Sequence, residues 1–184
     1  VNNLNDISNT LISNKKLFLL EKVIAGLVAR LDEEKDPQVY ALVVNLLAVV
    51  CAALLNKENF MQAGGILKEF NIRIKEAGPL TDIQKQAIRE TKERIIAGGA
   101  MINFLIKLLE GKVKGRQDTY ELFKVISEFG AVMIGPLFGL CINKNSYADP
   151  FAAYALRWSV AGVLKSMGGE VIDYLKDQLQ ADSR

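Results

Sequence analysis

Hydrophobic residues along the chain recur every three or four positions, which is the spacing of one face of an α-helix. The first clear stretch predicts a helix over residues 16–31, with apolar positions at Leu17, Leu20, Val23, Ile24, Leu27 and Leu31. Asp36 and Pro37 then provide a capping residue followed by proline, the order that starts a helix. The helix that follows, to about residue 55, is apolar almost all round, so we predict that it is the most deeply buried.

Polar and capping residues mark the ends of the other predicted helices in the first half of the chain. A third helix is predicted over residues 59–76. Thr81, followed three positions later by Gln84, forms a capping box that opens a charged helix over residues 81–97. Residues 1–14 are polar and rich in Asn and Ser, so we expect a flexible N-terminal end there.

A short pattern recurs in the second half of the chain. A glycine followed by Ile and Leu occurs twice, 38 residues apart, as Gly130, Ile134, Leu137 and as Gly168, Ile172, Leu175. A less regular copy, Gly98, Ile102 and Leu105, precedes the first of these by 32 residues. The glycine allows the chain to leave one helix and turn back, and the Ile and Leu place the return helix on the first. Periods of this size with helix–turn–helix content are characteristic of α-solenoids.

Residues 149–179 resemble a HEAT repeat. That family places an apolar residue and an arginine before a small and apolar run, then a leucine, a glycine, and a return helix with spaced Ile and Leu. The matching positions here are Leu156, Arg157, Ser159, Val160, Ala161, Leu164, Gly168, Ile172 and Leu175. The rest of the chain is more divergent, and Thr119 stands where the preceding repeat would carry the family's arginine.

The resemblance implies an all-α fold, a right-handed α-solenoid of antiparallel helix pairs with about eight or nine helices. Residues 15–184 would then form a single HEAT-like helical repeat domain. The polar joint at residues 56–60, after a long apolar helix, also resembles divergent bacterial HEAT-like regions. A sequence that begins without Met is compatible with a fragment of a longer chain. Members of this family mostly serve as binding scaffolds.

Composition supports the helical class and narrows the function. Half of the 184 residues are hydrophobic but only 8% are aromatic, so Leu, Ile, Val and Ala dominate the core, and with just four prolines these favour helices. The chain has no histidine, the commonest general base and metal ligand. Cys51 and Cys141 lie far apart in apolar runs, and free buried thiols fit a reducing, cytoplasmic location. We therefore expect no catalytic activity, metal or cofactor.

An aromatic row is the first place to look for function. Phe151, Tyr154 and Trp158 are spaced so that they share one face of a helix. This face either packs on the preceding repeat or is exposed as an anchor for a partner, since Trp and Tyr are enriched at binding hot spots. Arg157 beside it either pairs with a carboxylate, for which Asp149 is a candidate, or belongs to the same recognition surface.

The leading hypothesis is a noncatalytic protein–protein interaction or scaffold module that holds a protein partner. The first alternative is a nucleic-acid-binding or glycosylase-like HEAT protein, although a net charge of +2 argues against a phosphate-binding face. The second alternative is a membrane-associated or oligomerising helical protein, driven by the apolar residues 41–55 and 131–142. The first of these runs is interrupted by Asn45 and falls short of the ~20 residues that span a bilayer, which argues against a membrane span.

Overall fold

The computed structural model describes residues 2–14, 16–75, 80–99, 103, 116–142 and 150–181. In these ranges the chain forms helices and no β-strand, which confirms the all-α class. The chain divides into two compact units, residues 1–101 and 102–184, where the sequence led us to expect one domain from residue 15.

In its described residues the first unit consists of α1 (Asn2–Ser13), α2 (Leu17–Glu33), α3 (Pro37–Asn56), α4 (Phe60–Lys75) and α5 (Asp82–Ala97). Helix α3 packs against the other four and forms the centre of the unit. Its buried side chains are Tyr40, Val43, Val44, Leu47, Val50, Cys51, Ala53, Leu54 and Leu55. A helix that is apolar on all sides has to be surrounded, because burying each Val or Leu contributes about 1.5–3 kcal/mol.

Both helix starts that the sequence indicated in this unit are capped by side chains. The Asp36 carboxylate accepts hydrogen bonds from the backbone N–H groups of Gln38, at 2.7 Å, and Val39, at 3.4 Å. The Thr81 hydroxyl accepts from the N–H of Gln84, and the Gln84 side chain accepts from the N–H of Thr81 in return. These caps satisfy backbone donors that have no partner inside the helix, so they set where α3 and α5 begin.

Asn45, the polar residue that interrupts the apolar run, joins α3 to α5. Its side-chain oxygen accepts a hydrogen bond from the Thr91 hydroxyl at 3.4 Å and another from the Arg94 guanidinium. Arg94 also donates to the Thr91 hydroxyl at 3.0 Å. A polar group in a largely apolar helix keeps its hydrogen bonds in this way, and it fixes which part of α5 lies beside α3.

Helix α1 occupies the stretch that we expected to be a flexible end. It packs against α2 and α3, and its Ile12 side chain is buried. Asn and Ser are weak helix formers, but tertiary packing of an apolar face outweighs propensity in a short helix. The polar composition of residues 1–14 obscured this narrow face.

The described residues of the second unit form α6 (Arg116–Phe129), a 3-10 turn (Gly130–Met133), α7 (Ile134–Ile142), α8 (Pro150–Met167) and α9 (Gly169–Ala181). Helix α8 packs against α6, α7 and α9, and the 3-10 turn contacts α6, α7 and α9. The buried hydrophobic residues here are Leu122, Val125, Ile126, Phe129, Met133, Ile134, Leu137, Val160 and Val163.

The repeated glycines lie at helix junctions, as the sequence indicated. Gly130 and Gly168 both have left-handed backbones, with φ of 65° and 61°. Glycine adopts this conformation without the steric cost that a side chain would bring. The earlier junction differs: Gly98 is right-handed, with φ of −64°, and Gly99 has φ of 74°, so the left-handed residue comes one position later than expected. The rest of that earlier copy, residues 102 and 105, lies outside the described residues.

Candidate partner-binding surface

Helix α8 exposes two large aromatic side chains on one face. Tyr154 is 61% exposed and Trp158, one turn later, is 66% exposed. Their rings meet edge to face, with centroids 6.3 Å apart and planes at 64°. The opposite side of the helix carries the buried Val160 and Val163. Both rings therefore lie on the surface, as in the interpretation of the aromatic row as exposed.

The other residues of the predicted surface have different outcomes. The side chain of Phe151 lies outside the described residues, although its backbone belongs to α8. Arg157 is exposed and directly precedes Trp158. Asp149, the carboxylate that we considered as its partner, also lies outside the described residues.

Beside Trp158 a groove runs between α6 and α8. It has a volume of about 520 Å³ and is lined by Phe123, Lys124, Ser127 and Glu128 of α6 and by Trp158, Gly162, Val163 and Ser166 of α8. The walls therefore combine an aromatic rim, an aliphatic floor and one side chain of each charge. A volume of this order is typical of clefts that take a side chain or a small ligand.

Gly162 keeps part of the groove open. A Cβ atom built there would meet no atom within 4 Å other than those of its chain neighbours and its own helical backbone, so the space beside this helix turn is open. Any larger residue at position 162 would extend into the groove without a clash at its first carbon. This makes Gly162 a position from which the groove can be filled while the helix is kept.

Two serines span the two walls of the groove. The Ser127 and Ser166 hydroxyl oxygens are 3.5 Å apart. Each hydroxyl also donates to a carbonyl of its own helix, Ser127 to Phe123 at 3.0 Å and Ser166 to Val163 at 2.6 Å. Hydroxyl oxygens held in this way keep lone pairs that accept hydrogen bonds from an incoming N–H group.

Cys51 is held in surroundings that make its thiol unreactive. Cys51 is buried in α3, its thiol donates to the Ala63 carbonyl at 3.8 Å, and burial raises its pKa to about 12. Its thiol therefore stays protonated at neutral pH, which agrees with a free buried cysteine. Within the described ranges no group of three or more His, Cys, Asp or Glu side chains is placed to hold a metal ion.

Sequence reasoning found the aromatic rim but missed the groove. No sequence motif marks the residues that line the groove. The packing of α6 on α8 brings them together, among them Phe123, Ser127, Gly162 and Ser166. The 38-residue repeat held an indirect signal, because it relates the two helices and places Lys124 and Gly162 at equivalent positions. It does not say which faces of the two helices remain open.

Comparisons with protein-family models, with curated proteins and with solved structures gave no significant match to this chain. The fold and the candidate surface therefore rest on the residues themselves.

Proposed function

We propose that this chain is a noncatalytic module that binds a protein partner, with Tyr154 and Trp158 as the anchors of the contact surface. The observation that carries this proposal is the exposure of both rings on a helix whose other face is packed in the core. Exposed Trp and Tyr side chains contribute large apolar area at a small cost in conformational entropy, and they dominate many interfaces. Arg157, on the same helix, adds a cationic donor at the edge of the surface.

The proposed architecture is a short HEAT-like solenoid of helix pairs. It is supported by the two left-handed glycines, Gly130 and Gly168, at the same place in a 38-residue period. Stacked helix pairs leave grooves between neighbouring helices, and the groove between α6 and α8 has this character. A side chain or helix edge of the partner would enter this groove next to Trp158.

The charges around the groove favour a protein over a nucleic acid. Lys124 and Glu128 lie on the same wall, so the groove has no dominant sign. Binding of a phosphate backbone depends on a cluster of cations that displaces counterions. Mixed charges together with exposed aromatic rings suit a protein surface, where polar and apolar contacts alternate.

Two helical stretches of the described chain, Pro37–Asn56 and Leu122–Gly139, are long and apolar enough to cross a membrane by length and composition. The first is α3, which packs against four other helices. The second contains the left-handed Gly130 and several buried residues of its unit. These placements favour core elements over membrane spans. A cytoplasmic location is part of the same proposal, because the buried free thiol of Cys51 fits a reducing compartment.

The proposal is tested by capturing binding proteins with the immobilised chain and with two variants of the surface. Trp158→Ala removes the rim, and Gly162→Gln fills the groove. Phe18→Ala is the matched control, since Phe18 is an equally exposed aromatic residue in the first unit. We expect at least one protein that the parent and the control retain to be lost from both surface variants. Retention of the same proteins by all four would refute the proposed surface.

A further inference from the structure

The last helix, α9, carries an apolar stripe that its own unit leaves exposed. Ile172 and Leu175, one turn apart, are 56% and 41% exposed. The helix is held to its unit by other residues, among them Tyr174, whose ring stacks on Phe138 with centroids 6.2 Å apart. The stripe is therefore not the main face by which α9 packs on its neighbours, and the expectation that Ile172 and Leu175 place this return helix on the helix before it is not met.

The equivalent residues in the first copy of the pattern are buried. Ile134 and Leu137 precede Ile172 and Leu175 by 38 residues and have no exposed surface. They belong to α7, which packs against α8. At its first occurrence, the pattern is thus buried within the unit. At its second occurrence, the described residues leave it partly exposed.

Charged residues at the edge of the stripe indicate what covers it. Asp173 and Lys176 lie three residues apart on α9 and form an exposed, loose ion pair of 3.7 Å. Exposed pairs of this kind contribute at most about 1 kcal/mol, so either side chain is available to another partner. An anion and a cation in this order are complementary to the same two residues on a helix running in the opposite direction.

We propose that a second copy of this chain covers the stripe, with the two α9 helices packed antiparallel about a two-fold axis. If the axis passes between residues 174 and 175, Asp173 of each copy lies level with Lys176 of the other. The two Leu175 side chains then meet beside the axis, and each Ile172 lies within a helical turn of the opposite Leu175. A two-fold interface has to be self-complementary, and this stripe with its charged edge is.

The proposed interface is small, because one helix from each copy contributes to it. Stable interfaces bury about 1,200–2,000 Å² in total, so we expect a weak, concentration-dependent dimer. The interface is also distinct from the aromatic surface, since Tyr154 and Trp158 lie on α8. Self-association and partner binding can therefore be tested separately.

The test measures molar mass by sedimentation equilibrium from low to high micromolar concentration. We expect the mass of the parent to rise from one chain towards two. The variant Ile172→Glu with Leu175→Glu should stay monomeric over the whole range, whereas Trp158→Ala should behave as the parent. A mass that stays at one chain for the parent, or a dimer that survives both Glu substitutions, overturns the proposal.

Charge exchange tests the antiparallel register. Asp173→Lys alone and Lys176→Asp alone each place like charges level with one another, so each should weaken the dimer about tenfold or more. The combined Asp173→Lys, Lys176→Asp variant restores opposite charges and should recover the affinity of the parent. Glu33→Lys, an equal charge change in the first unit, is the control and should leave the dimer unchanged. If the combined variant is as weak as the single ones, the antiparallel arrangement is wrong.

Discussion

Two copies of one sequence pattern have opposite surroundings in the second unit. Ile134 and Leu137 are fully buried, whereas Ile172 and Leu175, 38 residues later, are 56% and 41% exposed. The glycine before each pair has the same left-handed backbone. The pattern thus encodes a turn followed by a helix with an apolar face, and a neighbouring helix decides whether that face becomes part of a core.

The largest effect expected from this comparison concerns its two leucines. Leu137→Ala should lower the free energy of unfolding by about 2–5 kcal/mol, because it removes a fully buried side chain and leaves a cavity. Leu175→Ala should cost less than about 1 kcal/mol in dilute solution, because water already contacts this side chain. Chemical denaturation followed by far-UV circular dichroism measures both values.

The dependence of these two costs on protein concentration tests the proposed dimer. If two α9 helices pack together, the cost of Leu175→Ala should grow as the protein concentration rises, since dimerisation stabilises the folded state by mass action. The cost of Leu137→Ala should stay constant. Equal costs for the two substitutions at low concentration would contradict the difference in burial.

The next effect concerns the glycines that the two copies share. Gly130→Ala and Gly168→Ala should each destabilise the fold by roughly 1–2 kcal/mol, because both residues have positive φ. Gly130→Ala should be the more costly, since its new Cβ would lie 3.3 Å from a Glu170 carboxylate oxygen, whereas the Cβ at Gly168 would meet no atom within 4 Å.

Gly162→Ala is the matched control for these two substitutions. It lies in open space inside α8, so it should stabilise the fold by about 1 kcal/mol. Thermal unfolding of the three variants gives the comparison. A stabilising Gly168→Ala would show that the turn after α8 is not held in the left-handed conformation.

A smaller effect is expected for the aromatic contact that holds α9 on its unit. The stacked Phe138 and Tyr174 rings connect α7 to α9, and such pairs contribute about 0.5–1.5 kcal/mol beyond their buried area. A double-mutant cycle with Phe138→Leu and Tyr174→Leu should give a coupling energy in this range. The same cycle with Phe138→Leu and Ile172→Ala should give a coupling near zero, because Ile172 faces solvent. Coupling to Ile172 as large as that to Tyr174 would place the exposed stripe in the core.

The smallest effect comes from the exposed aromatic surface. Trp158 is the sole tryptophan of the chain, so the fluorescence of the protein reports this surface directly. We expect an emission maximum close to that of free tryptophan, ready quenching by acrylamide, and little change on unfolding. Trp158→Phe should alter stability by no more than about 0.5 kcal/mol. A blue-shifted emission that moves to the red on unfolding would contradict its exposure.

Local signals in the sequence predicted much of the structure. The caps at Asp36 and Thr81 and the apolar periodicity placed α3 and α5 close to their observed starts. The left-handed junctions at Gly130 and Gly168 followed from the repeat. These features depend on neighbours within a few residues along the chain, so one sequence suffices to find them. Helix α1 was missed because its stability comes from packing on α3.

Most of the candidate site could not be predicted from local sequence signals. The spacing of Tyr154 and Trp158 placed both rings on one face of α8, but it did not determine whether that face is buried or exposed. The groove depends on Ser127 and Gly162, which come from different helices and carry no signal of their own.

The helical class, the starts of α3 and α5 and the turns at Gly130 and Gly168 can be read from the sequence, because they arise from backbone sterics and hydrogen bonds between nearby residues. The packing of the helices determines that Leu137 is buried while Leu175 is partly exposed, and that Trp158 borders a groove. Burial is a property of two surfaces, and the second surface comes from a helix distant in the chain. An apolar stripe therefore has the same sequence whether another helix covers it or not.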